Sequence, residues 1–301
     1  MPGISREGFL NRQAILADVL VEAGVDAFIA EPSASSSYYA NVSTSFELSE
    51  RPFLIIIDKH GKFSYLAPKF ELGRIGGLEM VFEEKTIIEW HEEESPYKAL
   101  KRATGYEKIM LDEHVRYFIA TGLESADIEV TAITNAVQSI RTVKSDGELA
   151  ILRGINEFTV ELVRSLQQNT KVGMTQGAIF TAATALFAKV GLEEDSWALV
   201  LLGPQASNPH GGSFGKVLER NEYVLIDIGS NLHGYGSDVT RTFLPAGSTP
   251  TKEQLDTWYT VYNAQSAAIK LTKVNETCSA VDAGTRKVCR IQSSPTIRKT
   301  N

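Results

Sequence analysis

The sequence predicts a mixed α/β chain in two parts, and three observations carry that expectation. Short apolar β-type runs alternate with amphipathic helical stretches through residues 1–142, the pattern of a sheet covered by helices. A capping box at Ser145 and Glu148 then opens a new, longer helix. Beyond it come three β-type runs, two of them joined by a turn punctuated with Asn and Gly.

A first helix is expected from about Arg6 to Ala23, behind Ser5 and ahead of Gly24, with Phe9, Leu16, Leu20 and Ala23 on its apolar stripe. Ala27 to Ala30 reads as a strand. The Ser33 to Ser37 tract after Pro32 reads as a loop by composition, and Tyr38 and Tyr39 as residues that pack, with pocket lining the alternative. Phe53 to Ile57 is an apolar strand, turned by Asp58 to Gly61 into a second strand at Phe63 to Leu66. Strands near Thr86 to Trp90 and Ile109 to Leu111 alternate with helices near Pro96 to Thr104 and Val115 to Thr121. The acidic run Glu92 to Glu94 beside His91 reads as a solvated loop. After the capping box, one helix carries Leu149, Leu152, Ile155 and Phe158, and a second runs from about Thr175 to Val190. Trp197 to Leu202, Tyr223 to Ile228 and Gly236 to Phe243 are the three strands, and Thr249-Pro250 opens a helix to about Lys273.

Composition bounds the function classes. At 301 residues, 43% hydrophobic and 22% charged, the chain has ordinary globular composition and room for two domains. A net charge of -7 and a pI near 5.4, with no Lys/Arg cluster, argue against nucleic acid. No apolar run approaches the roughly 18 residues of a membrane span, and the N-terminus is polar from its first residues. A cytoplasmic location with a peptide or other small molecule as partner is expected. Cys278 and Cys289 fall about three turns apart on one predicted helix, too far for a disulfide.

The chemistry concentrates in Tyr223-Val-Leu-Ile-Asp227-Ile-Gly229 and Gly236-Ser-Asp238-Val-Thr240-Arg-Thr242. If the hairpin folds about Leu232 and His233, 231 faces 234, 229 faces 236 and Asp227 faces Asp238. Opposed side chains have Cβ atoms roughly 4.5–5.5 Å apart, where two carboxylates repel unless a cation lies between them. Hard divalent ions take carboxylate oxygens, and a pair of such ions suggests hydrolysis. Val224, Ile226, Ile228 and Val239 give both strands an apolar second face, which specifies the register. Thr240 is expected beside Asp238 as a donor to its carboxylate, with Arg241 pointing the other way and His233 exposed in the turn.

The capping-box helix start, the Gly203-Pro204 to Asn208-Pro209-His210-Gly211-Gly212 loop, Ile226-Asp227-Ile-Gly229 and Asp238-Val-Thr240-Arg241-Thr242 together resemble the creatinase, aminopeptidase P and prolidase family. The resemblance implies a creatinase-type N-terminal α/β domain over 1–142 and a pita-bread peptidase domain over 143–290, with an atypical polar tail at 291–301. It implies two divalent ions (Mn, Co or Zn), Asp227 as bidentate ligand of one and Asp238 as the bridge, and His210 facing the substrate. It also implies hydrolysis of bonds next to proline, and homodimers are common among such proteins.

The match is incomplete. The resemblance calls for a later His and two later Glu, yet no His and no Glu follows residue 276. The pita-bread domain is therefore expected to be incomplete, through a shortened product or a degenerate relative, and its hydrolysis impaired. Two other functions stay open: action on a small non-peptide substrate, as hydrolase or lyase with His210 moving the proton, and a non-catalytic binding protein on the same fold.

Overall fold

The computed structural model describes residues 3–44, 46, 51–76, 86–192 and 194–293. Most of the polar tail, 294–301, lies outside them. In chain order the elements are α1 (Arg6–Glu22), β1 (Ala27–Ala30), α2 (Ala34–Ala40), β2 (Leu54–Asp58), β3 (Phe63–Pro68), α3 (Leu72–Gly76), β4 (Ile87–Trp90), α4 (Pro96–Thr104), β5 (Lys108–Leu111), α5 (Tyr117–Glu124), β6 (Glu129–Ala132) and α6 (Asn135–Ile140). Then come α7 (Asp146–Asn169), α8 (Gln176–Ala188), β7 (Trp197–Leu202), β8 (Val224–Gly229), β9 (Asn231–Leu232), β10 (Tyr235–Gly236), β11 (Val239–Phe243), α9 (Lys252–Leu271) and α10 (Cys278–Ser293). They fall into two compact units. The first comprises 1–161, 187–197 and 228–239; the second comprises 162–186, 198–227 and 240–301.

The first unit is built on a six-stranded mixed sheet in the order β4-β3-β2-β1-β5-β6. β1 runs antiparallel to β2 and parallel to β5. Its central strands are buried on both faces, which is why they read as continuous apolar runs instead of alternating ones. Phe28, Ile55 and Ile57 point into one core with Leu16 and Leu20 of α1. Ile29, Leu54 and Ile56 point into the other with Leu100 of α4 and Ile119 of α5. Ala23, expected on the α1 stripe, is exposed.

The serine tract departs from expectation. It forms α2, because the Ser33 side chain accepts the backbone N–H of Ser35 and Ser36 while Ser36 returns a bond to the Ser33 backbone, a capping box that satisfies the first turn. Buried Asp112 holds this start by accepting from the Ser33 and Ser35 hydroxyls at 3.2 and 2.6 Å. Tyr39 is buried and meets Tyr38 edge to face at 4.9 Å, as packing requires.

In the second unit α9 and α10 pack on each other. The α9 cap is Thr251, two residues later than expected, because its hydroxyl accepts the Gln254 N–H and Gln254 bonds back. β7, β8 and β11 form a three-stranded sheet in the order β11-β8-β7. Cys278 and Cys289 are both free. Among the described residues no helix is long and apolar enough to cross a membrane.

Candidate functional site

The hairpin forms, but not about the expected centre. Leu232 pairs with Tyr235 and Asn231 with Gly236, so His233 and Gly234 are the two turn residues. Both are left-handed, at φ 53° and 82°. A two-residue turn of this hand needs positive φ at both centres, and glycine takes it without strain. Centring the turn on Leu232 would have forced a bulky side chain into that region. The register consequently shifts by two residues, and Ser237 N–H donates to the Ser230 carbonyl at 2.9 Å.

The shift changes the partner of Asp227. Thr240 donates its hydroxyl to Asp227 Oδ1 at 2.6 Å, so the threonine serves Asp227 and not Asp238 as expected. An even shift preserves the face on which each side chain lies, because strand side chains alternate with period two. Asp238 is exposed between buried Ser237 and Val239, the same alternation that exposes Thr240. Arg241 is exposed and donates to the Thr240 carbonyl at 2.8 Å. The Asp-x-Gly spacing has its own cause. A Cβ on Gly229 would strike the Ser237 carbonyl oxygen and the Trp197 indole, so only glycine lets the chain close between residues 229 and 237.

His210 lies exposed in the loop after β7, past a 3-10 turn at Gly203–Ser207. The loop is braced at its base and on its return. Gly203 N–H donates to the Tyr223 carbonyl at 2.8 Å, and Ser213 N–H donates to buried Gln176 Oε1 at 3.3 Å. Lys216 Nζ contacts both oxygens of Glu222 at 2.9 Å. Burial pushes the Glu222 carboxyl up, but Lys216 and the Glu219 N–H outweigh it and leave it below the usual carboxylate range. The sequence did not reveal Gln176 or this ion pair. The only available signal was polarity at the first position of a strongly apolar helix.

A second polar cluster also went unread. In the first unit, Arg12 Nη2 donates to Tyr235 Oη at 2.9 Å, Tyr235 donates to Glu148 Oε1 at 2.9 Å, and Arg12 lies 3.4 Å from that same oxygen. The other Glu148 oxygen accepts the Ser145 N–H and hydroxyl at 2.8 Å, the capping box read from the sequence. Burial raises the Glu148 carboxyl, yet Ser145, Tyr235 and Arg12 together bring it below its ordinary value. Burial pushes the Tyr235 phenol up to about 12. Further along α7, Thr159 and Ser237 share a hydroxyl–hydroxyl bond of 2.7 Å. One helix therefore holds Tyr235 and Ser237, the residue immediately before Asp238.

Two acids near one β-hairpin, a braced glycine-rich histidine loop and a mixed α/β framework are what comparison with known proteins has to account for. Residues 150–295 match the model of metallopeptidase family M24, so the chain carries a domain similar to that family's. An uncharacterised peptidase of Schizosaccharomyces pombe is 39% identical over 95% of this chain. An uncharacterised peptidase of Staphylococcus aureus is 27% identical over 75%. The chain spans 66% and 64% of the lengths of these two relatives.

Solved structures share the pita-bread fold. Dipeptidase PepE of Mycobacterium ulcerans superposes with a TM-score of 0.84 at 20% identity, covering 96% of this chain and 78% of that one. The prolidase of Pyrococcus horikoshii OT3 gives 0.78 at 21%, covering 94% and 78%. An Xaa-Pro dipeptidase of Bacillus anthracis gives 0.77 at 20%, covering 95% and 78%.

Proposed function

We propose that this is an M24-type peptidase domain directed at short cytoplasmic peptides with proline in the second position. In this reading Asp227 and Asp238 begin the metal-binding face, Thr240 fixes Asp227, and His210 faces the substrate and carries a proton. The observation that carries it is the 2.6 Å bond from Thr240 to Asp227 Oδ1. A threonine hydroxyl holding one carboxylate oxygen orients the group and leaves the other oxygen toward a cation, the usual role of an outer hydrogen bond on a metal-binding acid.

The donors suit Mn, Co or Zn in kind, since carboxylate oxygens bind all three. They fall short in number. Among the described residues no group of three or more His, Cys, Asp or Glu gathers to hold an ion, and affinity rises with ligand count. The 301-residue chain by itself is thus a weak divalent site and a slow hydrolase.

The test is metal content after dialysis against Mn2+ or Co2+, with alanyl-proline as substrate. Substoichiometric metal and slow turnover are expected, both lowered further by Asp227→Asn and by Asp238→Asn. Stoichiometric metal with rapid turnover would overturn the weak site, and binding unchanged by either substitution would overturn the ligand assignment. The absence of a third donor among the described residues also favours a second reading, a non-catalytic peptide binder. That reading predicts peptide binding insensitive to chelator and no turnover at any metal concentration.

A further inference from the structure

The first unit contains a cleft of about 700 Å³, within the size range of small-ligand pockets. It lies against α1, the start of α7 and the hairpin turn, and its charges are unevenly compensated. Arg12 and Glu148 offset each other at 3.4 Å, and Arg141 is offset by Glu113 at 3.3 Å. Two lining charges of opposite sign have no ion-pair partner among the described residues. Lys144 Nζ bonds the carbonyls of Arg141 and Thr142, at 2.8 and 3.3 Å, and Asp195 is exposed, with no ion-pair partner among the described residues. The two do not pair with each other. Tyr38 and Tyr235 add aromatic surface, with the Arg12 guanidinium 3.9 Å over the Tyr38 ring.

We propose that this cleft is a binding site for a small zwitterion, an amino acid or short peptide, whose carboxylate is taken by Lys144 and whose ammonium is taken by Asp195. One cation and one anion without an ion-pair partner among the described residues, on a single concave surface, match a ligand carrying both charges, and each new pair gains from partial removal from water. The aromatic surface takes the apolar body of the ligand. The site lies within the first unit and uses neither Asp227 nor His210, so it stands apart from the metal-binding reading.

The experiment titrates the full 301-residue chain, in EDTA, with alanyl-alanine, its N-acetyl derivative, which lacks the ammonium, and its amide, which lacks the carboxylate. Binding is followed by calorimetry. Alanyl-alanine is expected to bind about tenfold more tightly than either derivative, the effect of one charge-assisted contact. Lys144→Gln should equalise alanyl-alanine and its amide while keeping the penalty for acetylation. Asp195→Asn should do the reverse. Both residues are exposed, so the melting temperature should hold in each variant. Equal binding of all three probes, no saturable binding, or a uniform loss for all probes in either variant would overturn the proposal. Because chelator is present throughout, failure here leaves the peptidase reading untouched, and failure of Xaa-Pro turnover leaves this site untouched.

Discussion

Replacing Arg12 with leucine tests the cluster that ties α1 to α7 and the hairpin. The side chains of Arg12 and Glu148 are 6% and 3% exposed, so this is a buried ion pair. Arg12→Leu removes the 3.4 Å pairing, the 2.9 Å bond to Tyr235 and the 2.8 Å bond to the Tyr38 carbonyl. Breaking a buried pair by deleting one partner costs about 3–5 kcal/mol, because the remaining charge stays desolvated. Glu148 keeps Ser145 and Tyr235 as donors, which places the expected loss near the lower end, about 3 kcal/mol. For a unit of this size that lowers the melting temperature by roughly 6–12 °C. Urea titration followed by circular dichroism reads the loss directly. In a cycle with Glu148→Leu, the double variant should recover at least about 1 kcal/mol of the summed single losses. A loss under about 1 kcal/mol for Arg12→Leu, or strict additivity in the cycle, would refute the account of the pair as a coupled buried unit.

The Glu148 carboxyl lies below its ordinary value of 4.5, so the fold favours its ionised form. That contribution is complete above the unfolded value and is lost as pH falls through the lower folded value. Wild-type protein should therefore lose stability more steeply than Glu148→Gln on acidification below pH 4.5, measured by urea midpoints across an acid series. Thr240→Val should leave the melting temperature nearly unchanged, since Thr240 is exposed, while weakening Mn2+ or Co2+ binding about tenfold in calorimetry. Gly234→Ala should destabilise by about 1–2 kcal/mol, because φ is 82° and the new Cβ would approach Ser37 Oγ at 2.9 Å. An unchanged urea midpoint would show that the turn relaxes into another register.

What the sequence made legible follows from how local each determinant is. Strand β1 and helix α4 appear with the expected limits, because apolar runs and the Ser95, Pro96 and Gly105 punctuation act within a few residues. The Ser145–Glu148 cap was equally readable, since both partners lie in one turn. The serine tract was not, although its capping box is also local. Its stability draws on buried Asp112, nearly eighty residues away, and serine composition alone favours a loop. The hairpin shows the finer limit. The two carboxylates were expected to face each other across the hairpin, yet their cross-strand partners depended on which two residues take positive φ. Symmetry about Leu232 and His233 was a counting argument, while the preference of the turn for glycine at its second centre is a steric one, and the steric one sets the register. That same displacement gives Asp227 a fixed donor in Thr240, so the feature that a count of positions missed is the one that holds the Asp227 carboxylate. Arg12 belongs to the same class. A cation on the buried stripe of α1 is costly unless its partner lies elsewhere in the chain, and the burial of Glu148, read only as a cap, supplies that partner.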